Sequence, residues 1–292
     1  MTSVGFIGLG RMGSRMAANV AAAGFPLTVH NRTLTVAEEF AATHGAEVAP
    51  TPRDLAAAVD VVVTMLADGD ALRGVYRGSA GVLAGLKSGS TAVDMSTVGP
   101  GLIGELASDV AALGAVLVDA PVSGSVAAAE ARTLMIMAGG DAGDVEAVRP
   151  VLEAIGSPVL HVGGLGAGAT MKLAVNSVVF GINQAVAEAL VMAERSGVDR
   201  TVAYDVFSNS AAGAPVVNYR KDIFLHPGEL PVSFTIDLAV KDLELITGHA
   251  HEVGTTLPVA EGAIAVMRAA VAAGLGHRDM GDVAVYLRDR AG

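Results

Sequence analysis

Ten residues near the start of the chain constrain its fold more than any others. Val4-Gly5-Phe6-Ile7 is a short apolar run of strand type. It leads directly into Gly8-Leu9-Gly10-Arg11-Met12-Gly13, and residues 14–23 follow as an alanine-rich helical stretch. Strand, tight turn and helix in that order give G-x-G-x-x-G its meaning. Gly8 permits the turn, Gly10 lets backbone approach a pyrophosphate, and Gly13 lets the helix pack on the strand. The helix start offers free N–H groups and the positive end of its dipole to the phosphates. Gly8, Leu9, Gly10, Arg11, Met12 and Gly13 are therefore read as a dinucleotide cradle; a glycine-rich turn without a ligand is the competing reading.

The pattern continues as alternating strands and helices. Residues 27–30, 59–66, 90–94, 115–119, 134–140 and 158–162 read as further strands. Such alternation predicts an α/β fold with a doubly wound, mostly parallel Rossmann sheet. Ligands of such sheets sit outside the carboxyl ends of the strands. Leu66 with the loop after it, Thr97, and the turn Ser123-Gly124 all fall there. A hydroxyl beside turn amides suits a carboxylate, although an ordinary turn serine has the same appearance.

The strand at 27–30 supplies a test of cofactor. A ribose 2′-hydroxyl calls for an acidic residue at its end, but Asn31-Arg32-Thr33 stands there. A guanidinium forms a charge-assisted pair with a 2′-phosphate. Asn31, Arg32 and Thr33 thus point to NADP(H). NAD(H) stays possible if Arg32 only stacks on adenine.

Beyond residue 163 the pattern changes. Gly163-Gly164-Leu165-Gly166-Ala167-Gly168 opens an apolar segment, expected to be one long helix over 169–195, that carries Lys172 and Asn176. Four residues apart, the two share a helix face. A lysine among apolar neighbours loses proton affinity and becomes a usable acid or base; a lysine that snorkels to solvent is the plain alternative. Helices are further expected at 199–209, 218–223, 237–253, 258–273 and 282–290. The expected domains are thus 1–163, and an all-helical 164–292 joined to it by the long helix. So apolar a helix in a small domain predicts cover from a second copy, hence a homo-oligomer. Lys241 lies three residues from Glu244, the spacing of an exposed ion pair.

Composition removes other classes. The chain of 292 residues has no cysteine, so disulfides and thiolate chemistry are excluded, and its seven histidines show no metal-ligand spacing. A net charge of −11 without a basic cluster argues against nucleic acid and anionic membranes. No uncharged span long enough for a membrane and no signal peptide are read, which makes the cytoplasm the expected location.

Taken together, the motifs resemble those of the β-hydroxyacid dehydrogenases, which include 3-hydroxyisobutyrate dehydrogenase, tartronate semialdehyde reductase and succinic semialdehyde reductase. Gly8–Gly13, Asp94-Met95-Ser96-Thr97, Asp119-Ala120-Pro121-Val122-Ser123-Gly124, Gly166 to Asn176 and Lys241-Asp242-Leu243 carry the likeness, which covers essentially the whole chain. It implies hydride transfer between NADP(H) and a small carboxylate substrate. It further implies that Lys172 is catalytic, that Asn176, Ser123 and Gly124 bind substrate, and that Thr97 and Lys241 stand near the nicotinamide. A homodimer or homotetramer through the helical domain is implied as well. The family's second glycine after Ser-Gly is replaced by Ser125, which puts the identity of the substrate in question. Two rival readings are an imine reductase, a class that typically lacks the lysine, and a non-catalytic dinucleotide-binding module.

Overall fold

The computed structural model describes residues 1–290. The chain divides into two compact units, one from Met1 to Lys172 and one from Leu173 onward. The sequence places the boundary ahead of the long helix, whereas the packing divides the chain inside it. The reason is local: Ala169, in the first turn, is buried among residues of the sheet's core.

In chain order the first unit runs β1 (Val4–Ile7), α1 (Gly13–Ala22), β2 (Leu27–His30), α2 (Leu34–His44), β3 (Glu47–Val48), α3 (Pro52–Ala58), β4 (Val61–Thr64), α4 (Gly69–Tyr76) and β5 (Thr91–Asp94). It continues with α5 (Pro100–Ala111), β6 (Val116–Asp119), β7 (Val122–Ser123), α6 (Val126–Glu130), β8 (Met135–Gly139), α7 (Ala142–Ile155) and β9 (Val159–Gly163). Helix α8 (Ala167–Arg195) follows. The sheet order is β3-β2-β1-β4-β5-β6-β8-β7, with β9 beside β8. Pairing is parallel from β3 across to β6, antiparallel where β8 meets β6 and β7, and parallel again at β9.

Strands apolar on both faces need cover on both. Val61 and Val63 of β4 join the core beneath α1 and α7, and Val62 between them joins the core beneath α3, α4 and α5. The register aligns the strand ends in one row: Ile7 with Thr64, Thr64 with Asp94, Asp94 with Asp119. That row is the edge where ligands of such sheets bind.

The second unit takes in most of α8, then α9 (Arg200–Asn209), α10 (Pro215–Tyr219), α11 (Lys221–Leu225), α12 (Ile236–Glu252), α13 (Pro258–Ala272) and α14 (Val283–Arg290). Its core is formed by residues such as Phe180, Leu190, Tyr204, Leu243 and Met267. The single helix expected at 218–223 is two short ones. They break at Arg220, whose buried guanidinium turns inward to pair with Asp279. Asp279 also accepts from the amides of Ser233 (2.9 Å), Phe234 (3.2 Å) and Gly281 (3.0 Å). No long uncharged span occurs, as read from the sequence, but α8, with Lys172 and Glu188 in it, is long and apolar enough to cross a membrane by length and composition. It behaves as a core helix, however. Asn176, Asn183 and Gln184 are buried in it and bond to Asp242 (2.9 Å), the Met280 carbonyl (3.1 Å) and Glu188 (2.7 Å).

Candidate active site

The glycine loop has the geometry a pyrophosphate needs. Gly8 has φ +100°, and a Cβ there would lie 2.3 Å from the Met65 carbonyl oxygen. A Cβ on Gly13 would lie 1.9 Å from the Gly8 carbonyl oxygen, so no side chain fits. Gly10, in contrast, is exposed and faces open space. The amides of Gly10, Arg11 and Met12 meet no acceptor among the described residues. Helix α1 begins without a side-chain cap and without an acidic residue in its first turn. Bare amides at an uncapped helix start fit a dianionic bridge, so the residues present suit a dinucleotide.

Asn31, at the end of β2, has a structural task. Its Oδ1 accepts the Leu9 amide at 3.1 Å and its Nδ2 donates to the Thr33 carbonyl at 3.1 Å. It therefore straps the glycine loop to the strand next door. Arg32 and Thr33 are exposed beside it, and Arg32 makes no hydrogen bond or ion pair among the described residues. Leu66 and Thr97, both half-buried, follow the ends of β4 and β5. The Leu66 amide donates to Ser96 Oγ at 2.9 Å.

Ser123 ends the two-residue strand β7, which was not foreseen, and Gly124 follows, exposed, at φ +148°. Ser125 does not add a loose hydroxyl to this turn. It caps α6, its Oγ accepting the Ala128 amide at 3.2 Å.

The start of α8 is fastened to the sheet by Asp119, the last residue of β6. Its two carboxylate oxygens accept the Gly166 amide at 2.8 Å and the Ala169 amide at 2.7 Å. Burial pushes this carboxyl above its ordinary pKa, against the pull of those amides. A carboxylate at a helix start also meets the favourable end of the dipole. Lys172, three residues past Ala169, is half-buried, and Asn176 one turn further is buried.

Asp242 of α12 is the candidate-site residue to which sequence reasoning gave no role. It is 1% exposed. Its Oδ2 accepts from Asn176 Nδ2 at 2.9 Å, and the Lys241 ammonium stands 2.8 Å from its Oδ1. Lys241 thus pairs with its chain neighbour, while Glu244 pairs with Arg268 at 2.8 Å; the pairing of Lys241 with Glu244 suggested by spacing is corrected. One Asn176 N–H is engaged, which fixes the amide plane and leaves its other N–H and its oxygen. The signal was available: Asp242 falls on the α12 face that buries Ala239, Leu243 and Ile246.

Residues 3–164 match the family model for the NAD-binding domain of 6-phosphogluconate dehydrogenase, and residues 166–287 match that for the NAD-binding domain of NADP-dependent 3-hydroxyisobutyrate dehydrogenase. The chain is 35% identical to 3-sulfolactaldehyde reductase of Escherichia coli (strain K12), over 100% of its own length and 98% of the relative's. It superposes on a 3-hydroxyisobutyrate dehydrogenase of Salmonella typhimurium with a TM-score of 0.90 and 28% identity, covering 98% of this chain and 100% of that one. A structure of Psf3 in complex with NADP+ and 2-OPP matches with a TM-score of 0.87 and 27% identity, over 97% and 99% of the two chains. With both halves matched and near-complete coverage of a relative above 30% identity, this chain belongs to the β-hydroxyacid dehydrogenase family, the NAD(P)-binding oxidoreductases of hydroxyacids and semialdehydes.

Proposed function

We propose that this protein interconverts a small β-hydroxyacid and its semialdehyde, with NADP(H) preferred over NAD(H), and that Lys172 is its acid and base. The observation that carries the reading is the polar face of α8. Lys172 and Asn176 stand one turn apart on a helix whose first amides are fastened at the carboxyl edge of the sheet. When bound, the nicotinamide supplies or accepts the hydride. In the reductive direction Lys172 gives a proton to the carbonyl oxygen as negative charge builds there, and its own charge favours that build-up. In the oxidative direction the neutral amine takes the proton from the hydroxyl. Asn176, oriented by Asp242, holds that oxygen, and Ser123 with the amides around Gly124 holds the carboxylate. Gly8 to Gly13 hold the pyrophosphate, Arg32 and Thr33 the 2′-phosphate, and Lys241 and Thr97 stand by the nicotinamide.

The test is consumption of NADPH, and separately of NADH, against succinic semialdehyde, tartronate semialdehyde, 3-sulfolactaldehyde and a cyclic imine. Turnover of a carboxy-aldehyde with NADPH is expected. Turnover of the imine alone, or no turnover at all, overturns the reading. A tenfold preference for NADH, about 1.4 kcal/mol, overturns the assignment of Arg32. We further propose a homodimer or larger homo-oligomer, supported by the exposed apolar side chains Val178, Met192, Val202, Val206 and Val259 of the helical unit. Light scattering on the purified protein tests it, and a monomer refutes it.

A further inference from the structure

One buried acid ties together the two loops that carry Leu66 and Thr97. Asp94, the last residue of β5, is 1% exposed. Its Oδ1 accepts from the Thr64 hydroxyl at 2.7 Å, at the end of β4, and from the Ser96 hydroxyl at 2.8 Å. Ser96 Oγ in turn accepts the Leu66 amide at 2.9 Å. A single carboxylate oxygen therefore fixes the ends of two neighbouring strands and the start of the loop after each.

No cation is paired with its charge among the described residues. Asp94 forms no ion pair among the described residues, and its Oδ2 is buried without a hydrogen-bond partner, as is the Tyr76 hydroxyl. The other titratable groups acting on it are Tyr76 from α4 and Asp119 at the paired position of β6, and neither is a cation. Burial raises its pKa to about 6 against the pull of the two hydroxyls and the Ser96 backbone amide, with Asp119 adding a smaller push upward. Asp94 is thus charged at neutral pH in a place where a neutral side chain is cheaper. A carboxylate kept against stability beside a ligand-binding edge points to a task other than folding.

We propose that Asp94 is a positioning residue for the nicotinamide end of the cofactor: acting through Ser96, it holds the Leu66 backbone and the Thr97 loop in the arrangement that end requires. This rests on the reading of Leu66 and Thr97 as cofactor-edge residues. The charged acceptor matters because a hydrogen bond to a carboxylate is roughly twice as strong as one to a neutral oxygen.

The experiment compares wild type, Asp94→Asn and Ser96→Ala. Each is titrated with NADPH and with 2′,5′-ADP, which has the adenosine half but no nicotinamide, and the ligand-free proteins are melted from pH 5 to pH 8. Both variants are expected to bind NADPH ~3- to 10-fold more weakly and 2′,5′-ADP as the wild type does. Asp94→Asn is expected to melt no lower than wild type at pH 8. NADPH affinity unchanged in either variant overturns the inference, as does an equal loss for both ligands. A lower melting temperature for Asp94→Asn at pH 8 also overturns it, since that is what a purely structural acid gives. A wild-type protein that binds neither NADPH nor NADH instead brings down the functional reading itself.

Discussion

At the scale of single residues the proposed chemistry turns on Lys172 and the proposed cofactor choice on Arg32. Lys172→Ala is expected to lower kcat on the order of 10²–10⁴-fold with NADPH affinity intact. Arginine keeps the charge but does not give up its proton. Lys172→Arg is therefore expected to remain as impaired; steady-state kinetics beside NADPH titration checks both. A Lys172→Ala enzyme turning over within a factor of a few of wild type removes the residue from the mechanism. Arg32 is exposed and carries no structural bond among the described residues. Its replacement by serine is expected to leave melting unchanged and to cut the NADPH-over-NADH ratio of kcat/KM by roughly 10- to 100-fold, the value of one or two charge-assisted contacts.

At the scale of elements, one cap lies beside the proposed substrate turn. The Ser125 hydroxyl serves the start of α6. Ser125→Ala is expected to destabilise by about 1 kcal/mol while the ranking of aldehyde substrates stays the same. A changed ranking would show that the hydroxyl reaches the substrate after all. The strands from β1 to β6, with the exception of β3, were legible because each is an apolar run closed by glycine or a polar turn. The two-residue strands β3 and β7 were not, since a pair of residues has no periodicity. The break between α10 and α11 was hidden as well, because what turns the chain at Arg220 is a carboxylate far along the sequence. The same holds within the candidate site. Glycines, Lys172 and Asn176 declare themselves by spacing, whereas Asp94, Asp119 and Asp242 act through partners that no local pattern encodes.

At the scale of the whole molecule, the acid at the end of β5 sets a pH signature. Its folded-state pKa of about 6 lies above the ordinary 3.8. The folded chain therefore binds that proton more tightly than the unfolded chain does between those values. This group's contribution is complete below pH 4 and is lost as pH rises to 6, a swing of about 3 kcal/mol. Asp54, Asp60 and Asp279, whose pKa values are lowered, act in the opposite sense, so the wild-type curve alone mixes signs. The difference between wild type and Asp94→Asn isolates the term. Denaturant melts are expected to show the variant gaining on wild type from pH 4 to pH 7, and parallel curves across that range would contradict the argument. The strap from Asn31 to the glycine loop has a further consequence. An aspartate at 31 would keep an acceptor for the Leu9 amide and lose the donor to the Thr33 carbonyl, so the side chain that steadies the glycine loop tolerates exchange on one side only.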